Sequence, residues 1–171
     1  MERSPPSSNL EIRGQRTMLK LKELFDNPYP FEEFYSHGVS AKYRFITEDG
    51  SMINVDFFEL GSELVKDSLD GDLPTDENYQ YVAFAFQRGY KYDITGTGDQ
   101  YRIFSTVGTI LKDYLMQRKV KELVLYFSAK ESSRIKLYRI LSEKIKRELR
   151  ASRVVESMDI EGNIVFLIIW D

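Results

Sequence analysis

The chain has 171 residues, of which 42% are hydrophobic and 30% charged, a balance typical of a globular domain with a buried core. The net charge of −3 and the absence of cysteine exclude a strongly basic protein, disulfide bonds, thiol catalysis and cysteine metal sites. No apolar run approaches the ~18 residues of a membrane span, and no secretory signal is visible. We therefore expect a protein that is not secreted and does not cross a membrane.

Residues 1–17 predict a flexible N-terminal arm, because prolines, serines and mixed charges occur there without hydrophobic periodicity. Residues 18–171 are expected to form one domain, and the sequence leaves open whether the arm is native. The domain is expected to begin with a short helix at Leu19–Phe25. Asn27–Pro30 ends this helix, because residues before proline avoid the helical region.

The next segment predicts an antiparallel pair of strands. Phe31 and Phe34 are expected to pack as a short turn before it. Val39–Thr47 alternates apolar and polar residues, residues 48–51 form a good hairpin turn, and Met52–Leu60 is the return strand.

A parallel unit is predicted after a polar, acidic connection at residues 61–78. Tyr79–Gln87 is expected to be a central strand, and the helix that begins at Asp99 or Gln100 is expected to run to Gln117 on a clear apolar stripe. Leu123–Phe127 is a short apolar run typical of a buried strand. Strand, turn, helix and strand in this order favour parallel pairing.

A second helix and a hairpin complete the prediction. Ser132 or Ser133 is expected to cap the helix, which runs to about Arg150, and Val154–Ile160 with Ile164–Trp170 forms a closing hairpin. The predicted fold class is therefore α/β (α+β), with a single mixed central sheet and helices on both faces.

The candidate cofactor loop is Gly96, Thr97 and Gly98, which precede the first long helix. Glycine lets backbone amides approach a phosphate, and a helix N-terminus favours an anion. The dinucleotide fingerprint needs a third glycine where Tyr101 stands, and Asp99 places a negative charge beside the loop. The alternative is a tight turn capped by Thr97 or Asp99.

A basic stripe is predicted on the outer side of the second helix. Its members are Lys136, Arg139, Lys146, Arg147 and Arg150. Such a stripe can contact nucleic-acid phosphates or an acidic protein partner, and a solvated helix face is the alternative. Residues 47–79, by contrast, hold ten acids and one base.

Other motifs favour structural interpretations. The lone His37 is a poor basis for a zinc site or a Ser-His dyad, and the acids around Asp70–Asp72 fail the calcium-loop pattern. Ser133–Lys136 matches S-x-x-K without the partner motifs of that hydrolase family. We therefore expect no metal site.

The order of elements resembles that of the GCN5-related N-acetyltransferase superfamily over most of residues 18–171. Gly96 and Gly98 match the small positions of its Gln/Arg-x-x-Gly-x-Gly/Ala turn, whereas Asp93 replaces the Gln or Arg. Leu137 and Tyr138 fit the Leu-Tyr of its later helix. The resemblance implies acetyl-CoA as cofactor, with its pyrophosphate on the amides of the turn, and Tyr138 as general acid to the departing thiolate. Core packing is the alternative role for Tyr138.

The stretches Ile94–Asp99 and Phe127–Tyr138 also look similar to uncharacterised proteins of tailed bacteriophages. The first hypothesis is a phage-type, acetyltransferase-like protein that binds a protein partner, in the host cytoplasm or the virion, without strong catalysis. The alternative is an active acetyl-CoA-dependent N-acetyltransferase. A nucleic-acid-binding accessory protein is the third hypothesis. The acyl acceptor, the partner and the oligomeric state stay open.

Overall fold

A computed structural model describes residues 27–61, 79–88, 99–118 and 122–170. The predicted arm, residues 1–17, lies outside this part. The strands in the described part are β1 (Phe31–His37), β2 (Ser40–Ile46), β3 (Met52–Leu60), β4 (Gln80–Arg88), β5 (Leu123–Ala129), β6 (Arg153–Met158) and β7 (Ile164–Trp170). The helices there are α1 (Gln100–Arg118) and α2 (Ser132–Leu149). Neither of these helices is long and apolar enough to cross a membrane.

The seven strands form one mixed sheet in the order β1-β2-β3-β4-β5-β7-β6. Strands β4 and β5 are parallel, and every other neighbouring pair is antiparallel. The α1 helix connects the parallel pair, as the strand–helix–strand order predicts. The predicted fold class, α/β with a single mixed sheet, is confirmed.

Both described helices pack on one face of the sheet, which we call the helix face. The period-2 alternation of β2 to β5 directs one set of apolar side chains there, and they form one cluster with the apolar stripes of α1 and α2. On the second face, Tyr81, Val124 and Leu167 belong to a smaller buried cluster. The helix predicted at Leu19–Phe25 lies outside the described residues, so helices on the second face stay a prediction.

The short turn predicted at Phe31 and Phe34 is wrong, because both residues belong to strand β1. Phe31 pairs with Phe45 of β2 and packs edge-on against Tyr43. The register shifts between Glu33 and Tyr35, which leaves Phe34 exposed in a bulge. This bulge breaks the alternation that would otherwise indicate a strand.

The structure also corrects the predicted start of α2 and the predicted end of β6. The cap position of α2 is Glu131, which makes no side-chain capping bond, so the prediction of Ser132 or Ser133 as the cap is wrong. Strand β6 ends at Met158 because the Asp159 carboxylate accepts the amide N–H groups of residues 161 and 163, each at 2.9 Å. This Asx-type turn ends the strand two residues before the predicted end at Ile160.

Candidate functional site

The two parallel strands separate at their C-terminal ends. Their ladder runs only from the pair Gln80–Leu123 to the pair Ala83–Tyr126. Beyond it, β4 continues to Arg88 paired with β3 alone, and β5 continues to Ala129 paired with β7 alone. We call this gap between residues 84–88 and 127–129 the β4–β5 opening.

The two edges of the opening have backbone groups that could bind a ligand. Within the described residues, no ladder bond joins the facing sides of residues 84–88 and 127–129. Backbone N–H and C=O groups must be satisfied by some partner when they leave water. An extended ligand with amide groups can therefore bind there much as a strand would.

The α1 helix begins beside the opening. Its first helical bond in the described residues joins the Ile103 amide to the Asp99 carbonyl at 3.0 Å. The amides before Ile103 have no acceptor of their own within a helix, and the N-terminal end carries a partial positive charge. The dipole at this end of α1 favours an anion, and the predicted binding of a phosphate there stays a prediction.

Arg88 offsets the charge of Asp99. One guanidinium nitrogen of Arg88 lies 3.4 Å from the Asp99 carboxylate, and another lies 3.5 Å from Asp49 in the β2–β3 turn. The Tyr29 hydroxyl also donates to Asp99, at 3.2 Å. The side chains of Arg88 and Asp99 are only 16% and 13% exposed, so this ion pair is poorly screened by solvent.

Tyr29 contacts both the start of α1 and the sheet. Its amide donates to the hydroxyl of Thr106 at 2.8 Å, and its ring stacks on Phe45 with centroids 5.8 Å apart. The guanidinium of Arg102 lies over the same ring, 3.9 Å from the centroid, and pairs with Glu48 at 2.6 Å. These contacts fix the position of this end of α1 relative to the sheet.

Tyr138 of α2 lies where β4 and β5 separate. Its ring contacts Phe86 of β4 and Phe127 of β5, at centroid distances of 5.9 and 5.1 Å, and also packs against Phe104 and Phe166. The residue is 4% exposed, and this burial raises the pKa of its phenol above the usual value. Tyr138 therefore stays protonated at neutral pH, which a general acid requires.

The hydroxyl of Tyr138 lies in an otherwise apolar site. It makes no hydrogen bond within the described part of the chain. The ring packs in the core, and the predicted role of the hydroxyl as an acid stays a prediction.

The remaining predicted site residues form two groups, the cofactor loop and the basic stripe. Gly96, Thr97 and Gly98, with Asp93, lie outside the described residues, so the cofactor loop stays a prediction. The members of the basic stripe are exposed on α2 and its end: Lys136, Arg139, Lys146, Arg147 and Arg150. The guanidinium of Arg139 is already engaged by Glu156 of β6 through two bonds, one of them 2.9 Å long.

Sequence reasoning missed Arg88 and Tyr29, because their partners are 11 and 70 residues away along the chain. In β4, the large Val82, Phe84 and Phe86 alternate with small or polar residues, a pattern that places these three side chains on one face of the sheet. Within the described residues, no group of three or more potential metal ligands comes together.

No protein-family model and no curated protein matches the chain. Among solved structures, it is similar to the ribosomal-protein-S5-alanine acetyltransferase of Vibrio fischeri, with 11% identity and a TM-score of 0.42 over 98% of this chain and 78% of that one. It is also similar to NAA60 of Arabidopsis thaliana, solved with a bisubstrate analogue, with 10% identity and a TM-score of 0.38 over 80% of this chain and 79% of that one. At TM-scores below 0.5 neither likeness decides the fold, which rests on the strand order and register above.

Proposed function

We propose that the chain is an acetyl-CoA-dependent N-acyltransferase. The observation that carries this proposal is the β4–β5 opening, which is bordered by the start of α1 and by the hydroxyl of Tyr138. The element order that resembles the GCN5-related superfamily supports it. The opening offers backbone groups to an extended thioester donor, and Tyr138 offers a proton.

The charges beside the opening are compatible with this donor. The pyrophosphate would bind the amides of Gly96, Gly98 and the first turn of α1, as the resemblance implies. The negative charge of Asp99 beside the loop disfavours an anion, but the guanidinium of Arg88 offsets this charge. The facing strand edges at residues 84–88 and 127–129, which the β4–β5 ladder does not pair, would hold the amide-containing arm.

The chemistry follows from the positions of these groups. When bound, acetyl-CoA supplies an acetyl carbonyl carbon, to which the amine nitrogen bonds while the carbon–sulfur bond breaks. Tyr138 holds a proton at its phenol oxygen for the sulfur that leaves, and the amine loses one proton to a base or to water. Burial raises the pKa of the Tyr138 phenol, which by itself opposes donation of its proton. The same apolar site disfavours a thiolate, which favours donation of the proton to the sulfur.

The test is the thermal midpoint with and without acetyl-CoA. A ligand at ~100 times its dissociation constant adds about 2.7 kcal/mol, which for a chain of this size raises the midpoint by roughly 5–10 °C. Gly98→Glu should abolish the rise by placing a carboxylate at the predicted pyrophosphate site. Gly61→Glu is the matched control, because a Cβ at Gly61 meets nothing within 4 Å and this residue follows β3 at the far end of the sheet.

The absence of any rise in the wild-type protein would overturn the proposal. The favoured function would then be the alternative, a phage-type interaction module that has the fold without its chemistry. In that case the next search would be for a protein partner of the exposed basic stripe. If acetyl-CoA raises the thermal midpoint of Gly98→Glu as much as that of the wild type, the donor binds elsewhere than at the predicted loop.

A further inference from the structure

The turn between β2 and β3, residues 47–51, has a backbone fixed by its own hydrogen bonds. The Thr47 amide donates to the Ser51 carbonyl at 3.0 Å, and the Gly50 amide donates to the Thr47 carbonyl at 2.9 Å. Gly50 has a φ of +78°, a left-handed conformation that glycine adopts without steric cost. The turn therefore offers a defined support for the side chain of Asp49.

The Asp49 carboxylate is oriented by this turn towards the end of β4. One of its oxygens accepts hydrogen bonds from the Thr47 hydroxyl and from the Ser51 amide, the second at 3.0 Å. These bonds, that of Thr47 foremost, lower the pKa of Asp49 to about 2, so the group is ionised at neutral pH. The other oxygen lies 3.5 Å from the Arg88 guanidinium.

Arg88 is shared between two carboxylates, and both contacts are long. Its guanidinium lies 3.5 Å from Asp49 and 3.4 Å from Asp99, whereas a tight charge-assisted hydrogen bond measures roughly 2.7–2.9 Å. The Asp49 side chain is 45% exposed, against 13% for Asp99, so solvent weakens the contact with Asp49 more. A further anion at the start of α1 would therefore compete first with Asp49 for the guanidinium.

Asp99 is linked to the same turn by a second route. The Glu48 amide donates to the Tyr29 hydroxyl at 3.3 Å, and that hydroxyl donates to the Asp99 carboxylate at 3.2 Å. The Glu48 carboxylate also pairs with Arg102 in the first turn of α1. The turn thus fixes the position of Asp99 and, through Asp49, draws on the cation that offsets its charge.

We propose that Arg88 is a positioning residue for the anionic donor and that Asp49 competes with the donor for its guanidinium. The proposal rests on the N-acyltransferase function proposed above and adds the groups that set the affinity for the donor. When a pyrophosphate lies at the start of α1, Arg88 leaves Asp49, contacts the phosphates and stays beside Asp99. The turn between β2 and β3 therefore adjusts how tightly the donor binds.

The experiment is calorimetric titration with acetyl-CoA and with S-acetylpantetheine, which keeps the thioester and the amide arm but lacks the phosphates. Arg88→Gln should weaken acetyl-CoA by about tenfold or more and leave S-acetylpantetheine unchanged, because the lost interaction is between charges. Arg88→Lys should recover most of the affinity. Arg44→Gln removes the same charge from an exposed ion pair with Glu32 and should change neither. Equal weakening of both probes by Arg88→Gln would reveal a merely structural role and overturn the proposal.

Two further variants test the competition between carboxylates. Asp49→Asn should tighten acetyl-CoA by about threefold or more, because Arg88 then has one carboxylate fewer to contact. Glu59→Gln, which removes an exposed carboxylate from β3, is the control for net charge and should change nothing. Adding Asp99→Asn to Arg88→Gln should restore most of the lost affinity. Unchanged or weaker binding by Asp49→Asn would exclude the competition.

Titration with inorganic pyrophosphate distinguishes a failure of this proposal from a failure of the proposed function. If wild-type protein binds pyrophosphate more tightly than Arg88→Gln does but gives no acetyl-CoA shift in thermal midpoint, the proposed function fails and the role of Arg88 stands. If acetyl-CoA binds the wild type and Arg88→Gln equally well, the role of Arg88 alone fails. If the wild type binds neither ligand, both proposals are overturned.

Discussion

Tyr138 combines two properties that usually exclude each other in one side chain. Its ring is enclosed by four phenylalanines from β4, α1, β5 and β7, and such edge-to-face contacts each contribute about 0.5–1.5 kcal/mol beyond burial. Its hydroxyl nevertheless makes no hydrogen bond in the described residues. A phenylalanine would satisfy the packing, so the hydroxyl is the atom that needs a functional explanation.

Tyr138→Phe should therefore separate catalysis from stability. We expect acetyl transfer to fall about 100-fold or more, the usual contribution of a positioned acid, while the acetyl-CoA shift and the thermal midpoint stay unchanged. The measurement is kcat at saturating acetyl-CoA with an amine acceptor of the wild-type enzyme. Tyr35→Phe, which removes an exposed hydroxyl, is the control. If Tyr138→Phe has the kcat of the wild type, packing is the only role of Tyr138.

At the scale of elements, the sequence predicts best what depends on local pattern. The bounds of β3 are as predicted, and α1 ends one residue later, at Arg118, because both have an unbroken period of apolar residues. The β1 strand was missed because its bulge breaks the period. The β4–β5 opening could not be predicted, because the point where two strands stop pairing depends on their other neighbours, β3 and β7.

The far end of α1 is fixed by Tyr114, which offers a test of helix docking. Its ring stacks on Phe57 of β3 with centroids 3.8 Å apart, and its hydroxyl donates to the carbonyl of Val39 at 2.6 Å. Tyr114→Phe keeps the stack and leaves that carbonyl without its donor. We expect a loss of about 1–2 kcal/mol in the free energy of unfolding, measured by urea titration. Tyr35→Phe should change the free energy of unfolding very little. Equal losses in the two variants would contradict a stabilising role for the buried hydrogen bond of Tyr114.

For the whole molecule, buried tyrosines set the behaviour at high pH. In the described part of the chain, burial raises the pKa of six phenols, those of Tyr29, Tyr43, Tyr81, Tyr114, Tyr126 and Tyr138. For Tyr114 it reaches about 12. An unfolded chain ionises its tyrosines near pH ~10. Above that pH the unfolded state holds fewer protons than the folded one, so stability falls as pH rises.

We therefore expect the free energy of unfolding to be level up to about pH 9.5 and to fall between about pH 10 and 12. Each fully shifted tyrosine contributes on the order of 1 kcal/mol per pH unit. Urea titrations across this range, with phenolate absorbance recorded in parallel, test the expectation. Tyr114→Phe should make the fall shallower. Stability that stays constant through pH ~11 would show that the phenols are not protected by the fold.

The short ladder between β4 and β5 has a consequence for how the molecule assembles. Four residue pairs join these strands, against eight between β3 and β4 and seven between β5 and β7. The sheet thus consists of two half-sheets, β1 to β4 and β5 to β7. They are joined by the short β4–β5 ladder, which we call the seam. Strands β1 to β4 are consecutive in the chain, and the longest loop that the first half-sheet must close is the one between Leu60 and Gln80. This half-sheet leaves the ribosome first, and we expect the seam to close only after α1 and β5 have been made, so that the proposed binding site takes shape late.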